Sequence, residues 1–194
     1  MTHPVALTST RLSLREFTAA DHEHLHAIYS DESTTEHLSF EPRTADQVTA
    51  LLDHIAQAAH TRPRLDYTLA VTLNDTRQLI GTGRLALGTP DQAGPNATLR
   101  PSSKAAQFGL AIHAPYWRNG YGREALALLV DYAFEHLGVE EVWGARGPAN
   151  TASAALMTAA GFTETITIPN HIVKNGQPRD SVVHVLHKYV WEQL

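Results

Sequence analysis

PYWRNGYGREALALLVDYAFEHLGV, residues 115–139, sets Gly120 and Gly122 one residue apart at the mouth of a long amphipathic run, with Arg118 and Arg123 beside them. Two readings compete. One is a strand-to-helix turn that needs glycine for its backbone angles. The other is a loop of bare backbone N–H groups aimed, together with the helix dipole, at a phosphate. Tyr121, Ala125, Leu128, Leu129 and Tyr132 recur at three and four residues, which predicts a helix packed on a sheet. Its first-turn N–H groups have no intrahelical acceptors, and glycine at 120 and 122 removes the Cβ atoms that would keep a ligand away. Glycine pairs at helix starts are common, so the loop alone is a weak signal. Two better defined nucleotide motifs are absent: there is no G-x-x-x-x-G-K-[ST], and Ala125 stands where G-x-G-x-x-G needs its third glycine.

Outward from this stretch the chain reads as alternating strands and helices. RLSLRE, residues 11–16, alternates apolar and polar side chains as a half-buried strand does. A helix is predicted over 18–31, with Thr18 and Asp21 at capping positions, and a second over 44–60, with Thr44 as N-cap and Gln47 completing a capping box. DYTLAVTL and QLIGTGRLAL read as a meander turned at Asn74-Asp75, and AAQFGLAIH as the strand entering the glycine loop. After the long helix come a strand over 139–146, a short helix ended by Gly161, and strands near 164–168 and 181–190 around the Lys174-Asn175-Gly176 turn. Residues 88–104 hold three prolines and no periodicity, which predicts a long flexible loop. Seven strands in this order predict an α/β (α+β) chain forming one domain over 1–194, with a mixed sheet and helices on both faces.

Composition narrows the function. The chain has 194 residues, 43% hydrophobic and 18% charged, which suits a globular domain with its own core. With no cysteine there is no disulfide framework, thiolate metal site or cysteine nucleophile. The N-terminus, MTHPVALTSTRLSLRE, has no basic segment followed by an apolar one, and no apolar run reaches membrane-span length. The expectation is a cytoplasmic protein without a membrane partner. A net charge of −5 with no Lys/Arg block argues against nucleic acid and is compatible with a cationic substrate such as an amine. Among twelve histidines, His22, His24 and His26 are spaced by two, so successive rings leave a helix in different directions, and no carboxylate cluster joins them. No metal is expected.

Residues 115–162 resemble the acetyl-CoA-binding core of the GNAT superfamily of N-acetyltransferases, and most closely the branch of Rim-type ribosomal-protein N-terminal acetyltransferases. The superfamily's [Q/R]-x-x-G-x-[G/A] loop is written here W-R-N-G-Y-G, with Trp117 at the first position, a substitution that resembles the Rim branch itself. STRLSLREFTAAD near the N-terminus and VKNGQPRDSVVHVL near the C-terminus resemble that branch too. The resemblance implies a mostly antiparallel sheet of about seven strands, splayed in the middle to admit the pantetheine arm of acetyl-CoA as co-substrate. It implies that backbone groups of Leu110, Ala111 and Ile112 pair with that arm, and that Arg118, Asn119, Gly120, Tyr121, Gly122 and Arg123 hold the pyrophosphate. Asn150 matches the family's CoA-contacting asparagine, although helix capping explains an asparagine there as well.

Acetyl transfer to an amine requires a neutral amine, a polarised thioester and a proton for the leaving thiolate. Many superfamily members have a glutamate base where this chain has Gln107, which cannot accept the proton, and a tyrosine acid where it has Met157. Ser153, three residues after Asn150, matches the serine assigned as acid in the Rim-type branch; the competing reading is a plain first-turn helix residue. For the base the preferred candidate is Glu41, with Glu36 and His171 as runners-up. The resulting expectation is an acetyl-CoA-dependent N-acetyltransferase, monomer or homodimer, that acts on a protein N-terminus or a small amine by direct attack in a ternary complex. The alternatives are an antibiotic-type small-molecule enzyme and a catalytically idle acyl-CoA-binding module.

Overall fold

The computed structural model describes residues 4–89, 100 and 102–194. Of the loop expected over 88–104, residues 90–99 and 101 lie outside the described residues. Eight strands form one sheet: β1 (Ala6–Thr8), β2 (Leu12–Glu16), β3 (Asp66–Leu73), β4 (Leu79–Leu87), β5 (Ala105–Ile112), β6 (Glu141–Arg146), β7 (Thr163–Lys174) and β8 (Gln177–His187). Their order is β1-β2-β3-β4-β5-β6-β8-β7, antiparallel throughout except between β5 and β6. That parallel pair needs a crossover, and α4 (Tyr121–Glu135) supplies it. The eighth strand is β1, whose three residues are too few to show an alternation.

Helices cover both faces. Ala125, Leu126, Leu129, Val130, Ala133 and Phe134 of α4 pack into a core with Leu12, Leu14, Leu69, Leu85 and Phe108. The buried stripe is thus turned from the expected one: Leu126, Val130 and Phe134 go inside, while Tyr121, Leu128 and Tyr132 are half-buried at its border. On the other face, Leu25, Ile28 and Tyr29 of α1 (His22–Ser30) and Val48 of α3 (Ala45–His60) pack against Ala70, Leu79 and Ala111. Thr44 and Gln47 form the expected capping box at the start of α3. The segment expected as one helix over 18–31 instead begins as a 3-10 turn at Ala19–Asp21, where Asp21 accepts from Thr18 and from Arg15, and a short α2 (Glu32–Thr35) follows α1.

The C-terminal hairpin is longer than its sequence pattern. β7 and β8 run up to a turn at Asn175 and Gly176, both left-handed, at φ +52° and +69°. The expected final strand stops at His187, and the chain turns into α6 (Lys188–Trp191) because Trp191 docks on α4, against Phe134 and with its indole N–H bonded to Asp131. Between Gly161, at φ +85°, and the start of β7, Phe162 enters the α4 core. α5 (Thr151–Ala159) buries only Met157, which is core filling as its sequence position suggested.

β5 and β6 pair over only three residues, from Ala105↔Glu141 to Gln107↔Trp143. Beyond that point β5 stays on β4 as far as Ile112, and β6 stays on β8 as far as Arg146, so the sheet splits. The ring of Phe108 fills the place of a side chain at Gly144: a Cβ there would fall 2.2 Å from its Cε1. Phe162 holds that ring edge-on, with centroids 5.3 Å apart. Gly144→Ala is expected to lower stability by about 1–3 kcal/mol through overpacking, read as a lower denaturant midpoint at unchanged slope. Gly109→Ala, whose Cβ would meet its nearest neighbour at an ordinary 3.6 Å, is the control expected to shift the midpoint little.

Candidate active site

The split opens a cleft of about 980 Å³ that crosses the sheet from the α4–α5 side to the α1–α3 side. Its walls include Phe108, Gly109, Leu110 and Ala111 of β5 and residues 145–150, the end of β6 and the turn after it. The antiparallel ladder fixes which backbone groups face the gap. Gly88 N–H donates to Ala105 and His113 N–H donates to Ile80, so the odd-numbered residues of β5 exchange bonds with β4. Ala111 is therefore turned toward Thr82, whereas the N–H and C=O of Leu110 point at the opening. Ile112 points the same way, but its carbonyl accepts the indole N–H of Trp117. Of the three residues expected to hold the arm, Leu110 offers both main-chain groups, Ile112 its N–H, and Ala111 neither.

The glycine loop lies at the end of β5. Arg118 and Gly120 both adopt left-handed angles, φ +63° and +79°, and Gly120 is the N-cap of α4. Among the described residues, the backbone N–H groups of residues 118–123 have no acceptor. The loop thus presents a row of donors at a helix N-terminus, where partial positive charge favours an anion. Gly122 has space for a Cβ, with its nearest neighbour at 3.8 Å, so the loop's conformation depends on Gly120. Asn119, exposed, folds its amide back on the loop, donating to the carbonyls of Tyr116 and Trp117.

The turn between β1 and β2 props this loop. Glu124, in the first turn of α4, accepts from Ser9 Oγ (2.7 Å), from the N–H of Arg11 (2.9 Å) and from the Arg11 guanidinium (2.7 Å). The same guanidinium donates to the Asn119 carbonyl and lies 4.9 Å from the centroid of Tyr121. Burial pushes the Glu124 carboxyl up, but the bonds from Ser9 and Arg11 outweigh it and hold the group below the ordinary carboxylate value.

At the opposite wall, Asn150 caps α5: its Oδ1 accepts the N–H of Ser153 at 3.0 Å. Both residues line the cleft, with Ser153 half-buried in the first turn of α5. Arg146 fixes the approach to this helix by donating to the carbonyls of Gly147 and Pro148, to Nε2 of the buried His184 and to Glu164. Gln107 also lines the cleft, while Met157 is buried away from it.

The remaining wall joins the segment after α2 to the β7–β8 hairpin. Lys174 is buried and donates to the carbonyls of Thr35 (2.5 Å), Glu36 (2.9 Å) and Leu38 (3.2 Å). Burial and the neighbouring Arg179 push its ammonium below the ordinary lysine value. Glu41 is exposed, outside the lining of the cleft; its carboxylate accepts the Asn175 N–H, and that bond holds it below the ordinary value. Glu36 does line the cleft. So does His171, buried, because β7 bulges beside it: three residues, Pro169, Asn170 and His171, stand against Asp180 alone. Asn170 is left-handed at φ +51°, its N–H donates to Asp180, and His171 Nδ1 lies 2.9 Å from Ser181 Oγ. Such bulges re-aim side chains, and no regular alternation in the sequence signals this one. Among the described residues no cluster of three or more His, Cys, Asp or Glu side chains converges as metal ligands, and no helix is long and apolar enough to cross a membrane.

Residues 11–163 match the acetyltransferase (GNAT) domain family, and the chain belongs to it. It is an acetyl-CoA-dependent acyltransferase of the N-acetyltransferase kind. Over 183 residues it is 26% identical to the uncharacterized N-acetyltransferase YoaA of Bacillus subtilis, covering 94% of this chain and 96% of the relative. The [ribosomal protein bS18]-alanine N-acetyltransferase of Escherichia coli is 28% identical over 136 residues, 69% of this chain and 86% of its own. The fold is also that of Mycobacterium smegmatis RimJ in complex with CoA-disulfide, with a TM-score of 0.78 at 17% identity over 97% of this chain and 91% of that one.

The anchorage of Glu124 has a pH signature. A carboxyl whose folded value is depressed adds stability that is present above its unfolded value and is lost as pH falls through the folded one. Wild-type stability should therefore fall as pH drops from about 5 through and below the unfolded glutamate value. In Glu124→Gln the fall should be shallower, measured as denaturant midpoints across that range. Parallel curves for the two proteins would remove Glu124 from the acid response.

Proposed function

We propose that the chain acetylates a primary amine by direct attack on acetyl-CoA within the split of the sheet. The observation that carries this is the pairing of two unsatisfied backbone surfaces: the donor row of residues 118–123 and, next to it, the open main-chain edge of Leu110. A pyrophosphate satisfies the first and an amide-bearing pantetheine arm the second, as an added strand would. Arg118 and Arg123 supplement the charge at the loop. Asn150 keeps its capping bond and lines the arm's path.

The chemistry then falls to side chains of the opposite walls. His171 is the base in this reading rather than Glu41, since His171 lies in the cleft and Glu41 is bonded outside it. The imidazole takes the proton of the ammonium, and the freed amine nitrogen attacks the thioester carbonyl carbon. Leu110 N–H holds the carbonyl oxygen as it gains charge. When the C–S bond breaks, the attacking nitrogen gives up its remaining excess proton to solvent, and Ser153 Oγ gives its proton to the departing thiolate and recovers one from solvent; the N-terminus of α5 favours the negative charge that develops there. The acceptor is a protein N-terminus or a small amine. Similarity to the bS18-alanine enzyme supports the first.

Two measurements test this reading. Gly120→Val forces a β-branched residue to a left-handed angle, with strain of about 1–3 kcal/mol. CoA Kd should then rise roughly tenfold or more, while Gly122→Ala, which has room for its Cβ, should stay near wild type. Equal CoA affinity in all three folded proteins, read by calorimetry, would place CoA elsewhere. Ser153→Ala should lower kcat by roughly 10²-fold with CoA affinity little changed, and less with an acyl donor whose thiol is more acidic. A kcat within about threefold of wild type, far below general-acid effects, would reduce Ser153 to a helix residue.

A further inference from the structure

The floor and one wall of the cleft carry two guanidinium groups that the acetyl-transfer steps do not use. Arg84 stands on β4 directly opposite Gly109, one strand from the open edge of β5. Its Nε and Nη2 both donate to Oδ2 of Asp66, and Thr68 Oγ1 donates to Oδ1 at 2.8 Å, so both oxygens of this carboxylate are engaged. The clamp fixes the guanidinium and leaves Nη1 without an acceptor among the described residues, on a side chain 43% exposed.

The second group is Arg43, in the segment before α3. Among the described residues its side chain donates no hydrogen bond and has no carboxylate at ion-pair distance. It is held instead on aromatic faces, 4.3 Å from the centroid of Phe40 and 5.8 Å from that of Tyr29. Tyr29 connects the two arginines. Its hydroxyl, buried and bonded to Thr82 Oγ1 at 2.9 Å, is pushed up by burial and pulled back by the charges of both Arg43 and Arg84. Arg43, Phe40, Tyr29, Thr82 and Arg84 all line the cleft.

This end of the cleft thus has one guanidinium in excess of its carboxylates. Stacking on aromatic faces leaves a guanidinium's edge donors pointing outward, and those edges match a carboxylate's two oxygens. A second ammonium, as in a polyamine, would meet like charge here. The other acidic residues of the lining act on the β7–β8 hairpin: the Glu36 carboxylate bears on Lys174, and Asp180 accepts the Asn170 N–H.

We infer that the acceptor is an amine that also carries a carboxylate, bound by Arg43 and Nη1 of Arg84 while the amine faces the edge of β5. This rests on the acetylation reading above and names the acceptor class for the same cleft. The carboxylate has two possible sources, a free amino acid or an acidic side chain close behind a peptide N-terminus.

The test uses the CoA-saturated protein, so that binding is read without turnover. L-alanine, β-alanine and the dipeptide Ala-Glu are titrated calorimetrically beside L-alaninamide, β-alaninamide and Ala-Gln. At least one acid should bind roughly tenfold or more tightly than its amide, the scale of a charge-assisted hydrogen bond; whether the amino acids or the dipeptide show it identifies the source. Arg43→Gln, which removes no hydrogen bond of the fold, should abolish the preference. Arg84→Lys, which keeps a cation beside Asp66, should weaken it. Equal affinity within every pair, no binding of any probe, or a preference unchanged in both variants would overturn the inference. Selective binding with no acetyl transfer from acetyl-CoA would overturn the acetylation reading and leave the carboxylate site standing.

Discussion

Everything at the site follows from the place where β5 and β6 stop pairing. A parallel pair continued to Ile112 would satisfy the main chain of Leu110 and close the sheet. The Phe108 ring, wedged against Gly144 and held by Phe162, marks where the strands part. An open strand edge inside a protein leaves costly unpaired donors and acceptors, so the split belongs beside something that completes it. The loop at residues 118–123 adds a second unsatisfied surface next to the first.

Each half of the divided sheet is braced separately. The β5 half is fixed through Glu124, which gathers Ser9 and Arg11 from the first hairpin onto the helix that carries the glycine loop. The β6 half is fixed through Arg146, whose donors hold the turn leading to Asn150 and Ser153. Lys174, Asn175 and Arg179 then tie the long hairpin to the segment after α2. The bracing groups are mostly charged side chains gripping main-chain carbonyls. Such contacts fix a loop's position while leaving its outward face free to vary, which suits a wall that chooses an acceptor.

The patterns legible along the chain were local ones. The capping box at Thr44 and Gln47, the left-handed glycines at 120, 161 and 176, and the apolar repeat of α4 each depend on residues within a few positions, and their chemistry can be read there. The family resemblance extended that reach to the mostly antiparallel sheet and its splay. β1 escaped notice because three residues carry no period. The face of α4 was turned by about one position because a repeat fixes which residues are apolar, not which of two adjoining stripes meets the sheet. Glu41 is the preferred base in the sequence because its loop lines the acceptor side in the family's fold; in the structure its carboxylate accepts the N–H of Asn175, 134 residues away, outside the cleft lining.

By itself, then, the sequence determined the class of fold and the glycine-opened start of α4, since both arise from backbone angles and short-range periodicity. Only the tertiary structure decided which groups face the cleft. The register between β4 and β5 selects Leu110 over Ala111, a bulge opposite Asp180 turns His171 inward, and the clamp of Asp66 on Arg84 leaves one edge of a guanidinium open. Each of these depends on residues far apart in the chain. A strand's pattern says which side chains share a face, but it is the neighbouring strand that fixes what each face meets.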